Sequence, residues 1–98
     1  MKGDMEMNIY KIRYFVNKQT KKGIEPIEHD ETIVIENLQR AKEIFKSFKN
    51  KAQCWTQYAK YTGKCELFIP HLCDNGELAY WPDNNIYIEQ WDSELPEN

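Results

Sequence analysis

The stretch NLQRAKEIFKSFKNKA, residues 37–52, decides the architecture. Leu38, Ala41, Phe45, Phe48 and Ala52 recur at spacings of three and four, Ile44 widens the stripe, and Asn37 is a good N-cap. The segment therefore predicts one amphipathic helix, with Lys42, Lys46 and Lys49 as a basic ridge along one flank. Ninety-eight residues hold about one sheet with one helix, so the remaining apolar material is expected to form that sheet.

Upstream, Asn8 to Val16 alternates as a strand should. Tyr10, Ile12, Tyr14 and Val16 share one face, while Lys11 and Arg13 share the other, a pattern that suits a sheet covered on one side. Glu31 to Glu36 holds the β-branched run Thr32, Ile33, Val34 and Ile35, which favours a strand paired to the first. The polar stretch between them, 17–30, contains a Lys-Lys-Gly corner and Pro26 and reads as a loop with a basic tip.

Downstream of the helix, Gln53 to Tyr61 and Lys64 to Ile69 flank Thr62-Gly63, which predicts a hairpin. In that register Cys54, Thr56, Tyr58 and Lys60 share a face with Cys65, Leu67, Ile69 and His71. Asp74-Asn75-Gly76 is a turn signal. Glu77 to Trp81 and Asn85 to Trp91 then form a last hairpin across Pro82-Asp83-Asn84, with Ile86 and Ile88 inward and Tyr87, Glu89 and Trp91 outward. The expected fold class is α+β: one helix packed on an antiparallel sheet of about five or six strands, in the order β-β-α-β-β-β-β. Residues 1–7 read as a flexible leader, 8–91 as a single domain and 92–98 as a frayed acidic tail.

Charge is distributed unevenly. All 13 Lys and Arg residues lie at or before Lys64, and the last 34 residues carry eight carboxylates and no basic side chain, so the formal charge is +5 before Cys65 and −8 from it onward. The acidic third also holds Trp81, Trp91, Tyr80 and Tyr87, which makes it resemble a contact surface. No apolar run reaches membrane-spanning length. Three cysteines, an odd number, with no apolar stretch near the N-terminus, lead us to expect a reduced, cytoplasmic setting in a bacterium or phage-infected cell, with no disulfide framework and no cofactor.

Four constellations bear on chemistry. The hairpin register brings Cys54 opposite His71 with Cys73 nearby, a weak metal set. Paired C-x-x-C knuckles are absent, and buried thiols with a histidine at a strand end are the simpler reading. The same Cys54 and His71 are the sole candidate nucleophile and base, without an orienting acid or oxyanion donors, so the expectation is a non-catalytic protein. Lys42, Lys46, Lys49 and Lys51, with Lys18, Lys21 and Lys22, form a candidate nucleic-acid contact, opposed by an overall pI near 5.4. Lastly, Trp81, Tyr87 and Trp91, ringed by Asp83, Glu89, Asp92 and Glu94, fit an acidic aromatic surface for a basic, nucleic-acid-handling protein partner. Such a surface would act as phage-encoded inhibitors of host defence nucleases do, by placing carboxylates where phosphates normally lie. A homo-oligomer joining the basic and acidic parts of two copies is a third reading.

Overall fold

The structure is a computed structural model and describes residues 9–70 and 86–95. Strand β1 (Ile9–Thr20) turns into β2 (Gly23–Ile35), helix α1 (Leu38–Thr56) follows, and β3 (Tyr61–Ile69) and β4 (Ile86–Asp92) complete the described elements. The four strands form one antiparallel sheet in the order β2-β1-β3-β4. The α+β class holds, with four strands among the described residues instead of five or six. The expected strand Glu77 to Trp81 lies outside those residues, as does the leader.

The element order differs after the helix, and the reason is local. Gln53 to Thr56 continue the helix instead of starting a strand, because Trp55 extends the buried stripe three residues beyond Ala52. Cys54, Thr56 and Tyr58 mimic strand alternation only because periods of 2 and 3.6 overlap over so short a run. The chain reverses over 57–60, where Lys60 takes a positive φ of 83° and Tyr61 N–H donates to the Tyr58 carbonyl. Thr62 and Gly63 are therefore strand residues rather than a turn.

The expected loop 17–30 is also strand. β1 and β2 pair from Ile9 with Ile35 out to Thr20 with Gly23, a ribbon whose turn is Lys21-Lys22. The Thr20 hydroxyl accepts from Lys22 N–H and donates to the Gly23 carbonyl, and Gly23 sits at φ 126°, where an L side chain is strained. Pro26 falls where the register shifts between Val16 and Asn17, a place on an edge strand that tolerates a missing donor.

Helix α1 begins where expected: the Asn37 side-chain oxygen accepts from Arg40 N–H at 2.9 Å, an N-cap worth about 1 kcal/mol. Its buried residues Ala41, Phe45, Phe48 and Ala52 pack on Tyr10, Ile12, Tyr14 and Val16 of β1 and on Cys65 and Leu67 of β3. β4 adds Trp91, which is 9% exposed and belongs to this core, against the outward placement expected for it. A register irregularity between Leu67 and Phe68 is the cause. Cys65 pairs with Trp91 and Leu67 with Glu89, but Phe68 pairs with Tyr87, so one extra residue, Ile88, inverts the parity. Glu89 and Trp91 thus share the helix side while Tyr87 lies on the opposite face with Phe68, their rings 5.4 Å apart. Ile86, expected inward, is 64% exposed.

The face away from the helix is not simply wet. Glu66 is 3% exposed and accepts from Arg13 Nε at 2.6 Å, and the Arg13 guanidinium stands 4.8 Å from the centre of the buried Phe68 ring. Lys11 Nζ lies 3.4 Å from Glu31. Removing Arg13 leaves the buried Glu66 with only Lys64, 4.0 Å away, as a partner and should destabilise the fold by about 1–3 kcal/mol.

Gly63 is the point of closest approach. A Cβ there would stand 3.0 Å from Thr56 Cγ2, 3.3 Å from Ala52 Cβ and 3.4 Å from Trp91 Cζ3, so helix end, β3 and indole meet over a bare backbone. Gly63→Ala is expected to destabilise the fold by about 1–3 kcal/mol through overpacking. Gly23→Ala meets nothing within 4 Å and suffers only its φ, a cost of about 1 kcal/mol. Urea midpoints at unchanged m-value check both.

Candidate functional site

The last turn of α1 carries no basic residue, so its carbonyl end, the negative pole of the helix, is not offset from within the helix. Beside it opens a cleft of about 470 Å³, lined by Gln53 and Thr56 of the helix and its C-cap Gln57, by Trp91 and Asp92 of β4, and by Ser93 and Leu95 just after that strand. Its lining holds amides, hydroxyls and a carboxylate and no cationic side chain, a composition that receives cations and hydrogen-bond donors. Residues 93–95, just after β4, make defined hydrogen bonds, while 96–98 of the expected acidic tail lie outside the described residues. Ser93 N–H donates to the Gly63 carbonyl while Gly63 N–H donates to Ser93 Oγ, both at 2.9 Å. Asp92 Oδ1 accepts from Glu94 N–H at 2.9 Å and the Asp92 carbonyl from Leu95 N–H at 3.1 Å. Asp92 thereby lines the cleft with its carboxylate engaged by the Glu94 amide, and the exposed Glu94 stands between the lining residues Ser93 and Leu95.

Of the expected partner-binding residues, the structure brings Trp91, Asp92 and Glu94 together. Glu89 is exposed farther along β4, Tyr87 is half-buried on the other face, and Trp81 and Asp83 lie outside the described residues. The lysine ridge divides. Lys42 and Lys46 are exposed, while Lys49 is half-buried, its charge opposing the effect of burial on Cys65. At 100° per residue these three share a flank with Gln53, which faces the cleft, so the ridge runs on the β4 side. Lys51 occupies the other flank, its Nζ 6.0 Å from the Tyr14 ring centre and 5.6 Å from that of Phe48.

Cys54 sits exposed on the helix beside Trp55 and Tyr58, so the strand register that set it against His71 does not exist; His71 and Cys73 lie outside the described residues. Among the described residues no group of three or more His, Cys, Asp or Glu side chains is placed to hold a metal ion. No described helix is long and apolar enough to cross a membrane.

Two features escaped the sequence reading. Glu28 accepts from the Trp55 indole N–H at 2.7 Å and also receives the Tyr14 hydroxyl, joining β2 to the helix end and the core. The same strand bears Glu25, Glu28, Asp30 and Glu31, all exposed, so a second acidic edge lies opposite β4.

Burial pushes the Tyr14 phenol from 10.0 to about 12, with the Glu28 hydrogen bond and charge and the Asp30 charge acting in the same direction. The Cys65 thiol, which donates to the Phe45 carbonyl at 3.6 Å, is pushed from 9.0 to about 12, first by burial. Both folded values exceed the unfolded ones, so the stability they contribute is complete below pH 9 and is lost as pH rises to about 12. Thermal melts should fall across that window by the equivalent of a few kcal/mol, and Tyr14→Phe and Cys65→Ala should each flatten the slope. Trp91→Ala should cost about 3–5 kcal/mol by loss of core volume, whereas Glu94→Lys should change the unfolding free energy from urea titration by less than about 0.5 kcal/mol.

The chain matches no family model, no curated protein and no solved structure, so function has to be read from these residues and their geometry.

Proposed function

We propose that this domain is a non-catalytic protein-binding module that receives lysine and arginine side chains of a basic partner at the carboxylate-bearing end of its helix. The observation that carries the proposal is the cleft between Gln53, Thr56 and Gln57 and Trp91, Asp92 and Ser93, at a helix C-terminus with no basic residue of its own. A cation there interacts favourably with the helix pole by about 0.3–1 kcal/mol and with each carboxylate by a similar amount. Useful affinity therefore needs several such contacts and falls with salt. Glu89 on the helix side of β4 and the exposed Leu95 extend the surface. A nucleic-acid-handling protein offers a matching array of cations, and occupying it would inhibit that protein. This interaction needs no cofactor.

The alternative, nucleic acid bound directly on the helix, has less support. Lys51 lies apart from Lys42 and Lys46, and exposed carboxylates on β2 and β4 border the helix on both sides, where they repel phosphate. Fluorescence anisotropy with a labelled arginine-rich peptide and with single-stranded DNA, at two salt concentrations, separates the readings. The peptide should bind in a salt-dependent manner, lose about tenfold or more with the double change Asp92→Asn and Glu94→Lys, and bind as tightly or more tightly with Lys42→Glu and Lys46→Glu. Tight DNA binding abolished by the lysine changes would overturn the proposal in favour of the helix surface.

A further inference from the structure

β2 is an edge of the sheet. It pairs with β1 on one side, no described strand lies on its other side, and 9 of its 13 residues are exposed. From Glu28 to Ile35 it pairs with Val16 to Ile9 without irregularity, so this part is a regular extended template, ended at one side by Ile27 and Pro26. Along the template the side chains divide into two halves. Glu28 and Asp30 point to the helix side and His29 and Glu31 to the other, an acidic half; Thr32 and Val34 then alternate with Ile33 and Ile35, an uncharged β-branched half. Ile33 and Ile35 are 49% and 54% exposed.

An edge guarded only against unwanted pairing is expected to carry charge, proline or a bulge along its length. Here charge stops at Glu31, and four residues of high strand propensity follow with nothing to deter a neighbour. A second copy does not suit this pattern. Antiparallel pairing of two β2 strands lays the carboxylates of each against aliphatic residues of the other, and parallel pairing sets carboxylate against carboxylate.

We propose that β2 is a strand-addition site for an extended segment of another protein, about eight residues long to match Glu28–Ile35. Its lysines or arginines face Glu28 to Glu31, and its aliphatic or β-branched residues face Thr32 to Ile35. Main-chain hydrogen bonds supply the attachment, and the charge boundary fixes register and direction. An antiparallel occupant runs aliphatic first and basic last. This surface lies on the opposite edge from β4, and the proposal does not depend on the cleft.

The test uses the full chain and a labelled synthetic octapeptide with four aliphatic residues followed by four Lys or Arg residues. Two N-methylated versions, each blocking alternate amides, accompany it, together with a peptide of the same composition in which basic and aliphatic residues alternate. The parent should bind. One N-methylated peptide should lose about tenfold or more while the other binds like the parent, because only alternate amides face the host strand. The alternating peptide should bind more weakly. Asp30→Lys should weaken binding about tenfold, and Asp92→Asn with Glu94→Lys should leave it unchanged. Equal binding of both N-methylated peptides and the parent would reduce the contact to charge attraction and overturn the proposal. Loss with the Asp92 and Glu94 changes alone would assign the peptide to the cleft and also overturn it. A mass that doubles with concentration in light scattering of the free chain, abolished by Asp30→Lys, would show a second copy on the edge and contradict it. The peptide series decides the matter even if a protein variant fails to fold.

Discussion

The close approach of helix α1 to strand β3 over Gly63 is the contact on which the other features depend. With no side chain at Gly63 and only a methyl group at Ala52, the helix comes low enough for the Trp91 indole to close the space between them. Trp91 then belongs to the same core as Phe45, Phe48, Tyr14 and Leu67. Interiors packed to this density do not yield by small increments, so the seat of the indole also sets where β4 ends. Ser93 and Gly63 exchange hydrogen bonds on either side of that seat, which places Asp92 and Glu94 beside the helix terminus. The cleft lies where the helix end at Thr56 and the end of β4 at Asp92 meet beside Gly63.

The same placement explains what is left uncovered. Lying over β1 and β3, the helix reaches β2 through Trp55 and its hydrogen bond to Glu28. β2 therefore keeps its outer edge and most of its side chains in solvent. The two acidic surfaces thus have one origin, a single helix too narrow to span four strands, with carboxylates on both strands it does not cover. Among the described residues, the sequence-level contrast between a basic front and an acidic back is partly offset by pairing across strands. Arg13 neutralises Glu66 across adjacent strands, and the lysine ridge runs on the same side as β4.

What could be read from the chain follows burial. The helix from Asn37 to Ala52 and the face Tyr10, Ile12, Tyr14, Val16 were legible because each has a dry side and a wet side, which writes a period into the residues. The outer halves of β1 and β2 were not, because a ribbon exposed on both faces leaves no such record. The helix end was hidden by alternation in Cys54, Thr56 and Tyr58 that fits a strand for three positions. Trp91 was misplaced for another reason: one inserted residue at Ile88 inverts everything beyond it, and a bulge leaves no mark in composition. Of the site, Asp92 and Glu94 were legible as charge, but their position at a helix terminus depends on contacts across the whole domain. The acids of β2 were visible and were assigned to a loop, which concealed their alternation.

Amide hydrogen exchange on the free chain, read residue by residue and including the indole N–H of Trp91, addresses the central claim directly. If Trp91 is part of the core seated over Gly63, the amides of β4 beside it should be protected to nearly the same free energy as those of β1 and β3, while alternate amides along β2 exchange rapidly. Rapid exchange throughout β4, with an accessible Trp91 indole and a uniformly protected β2, would contradict the account.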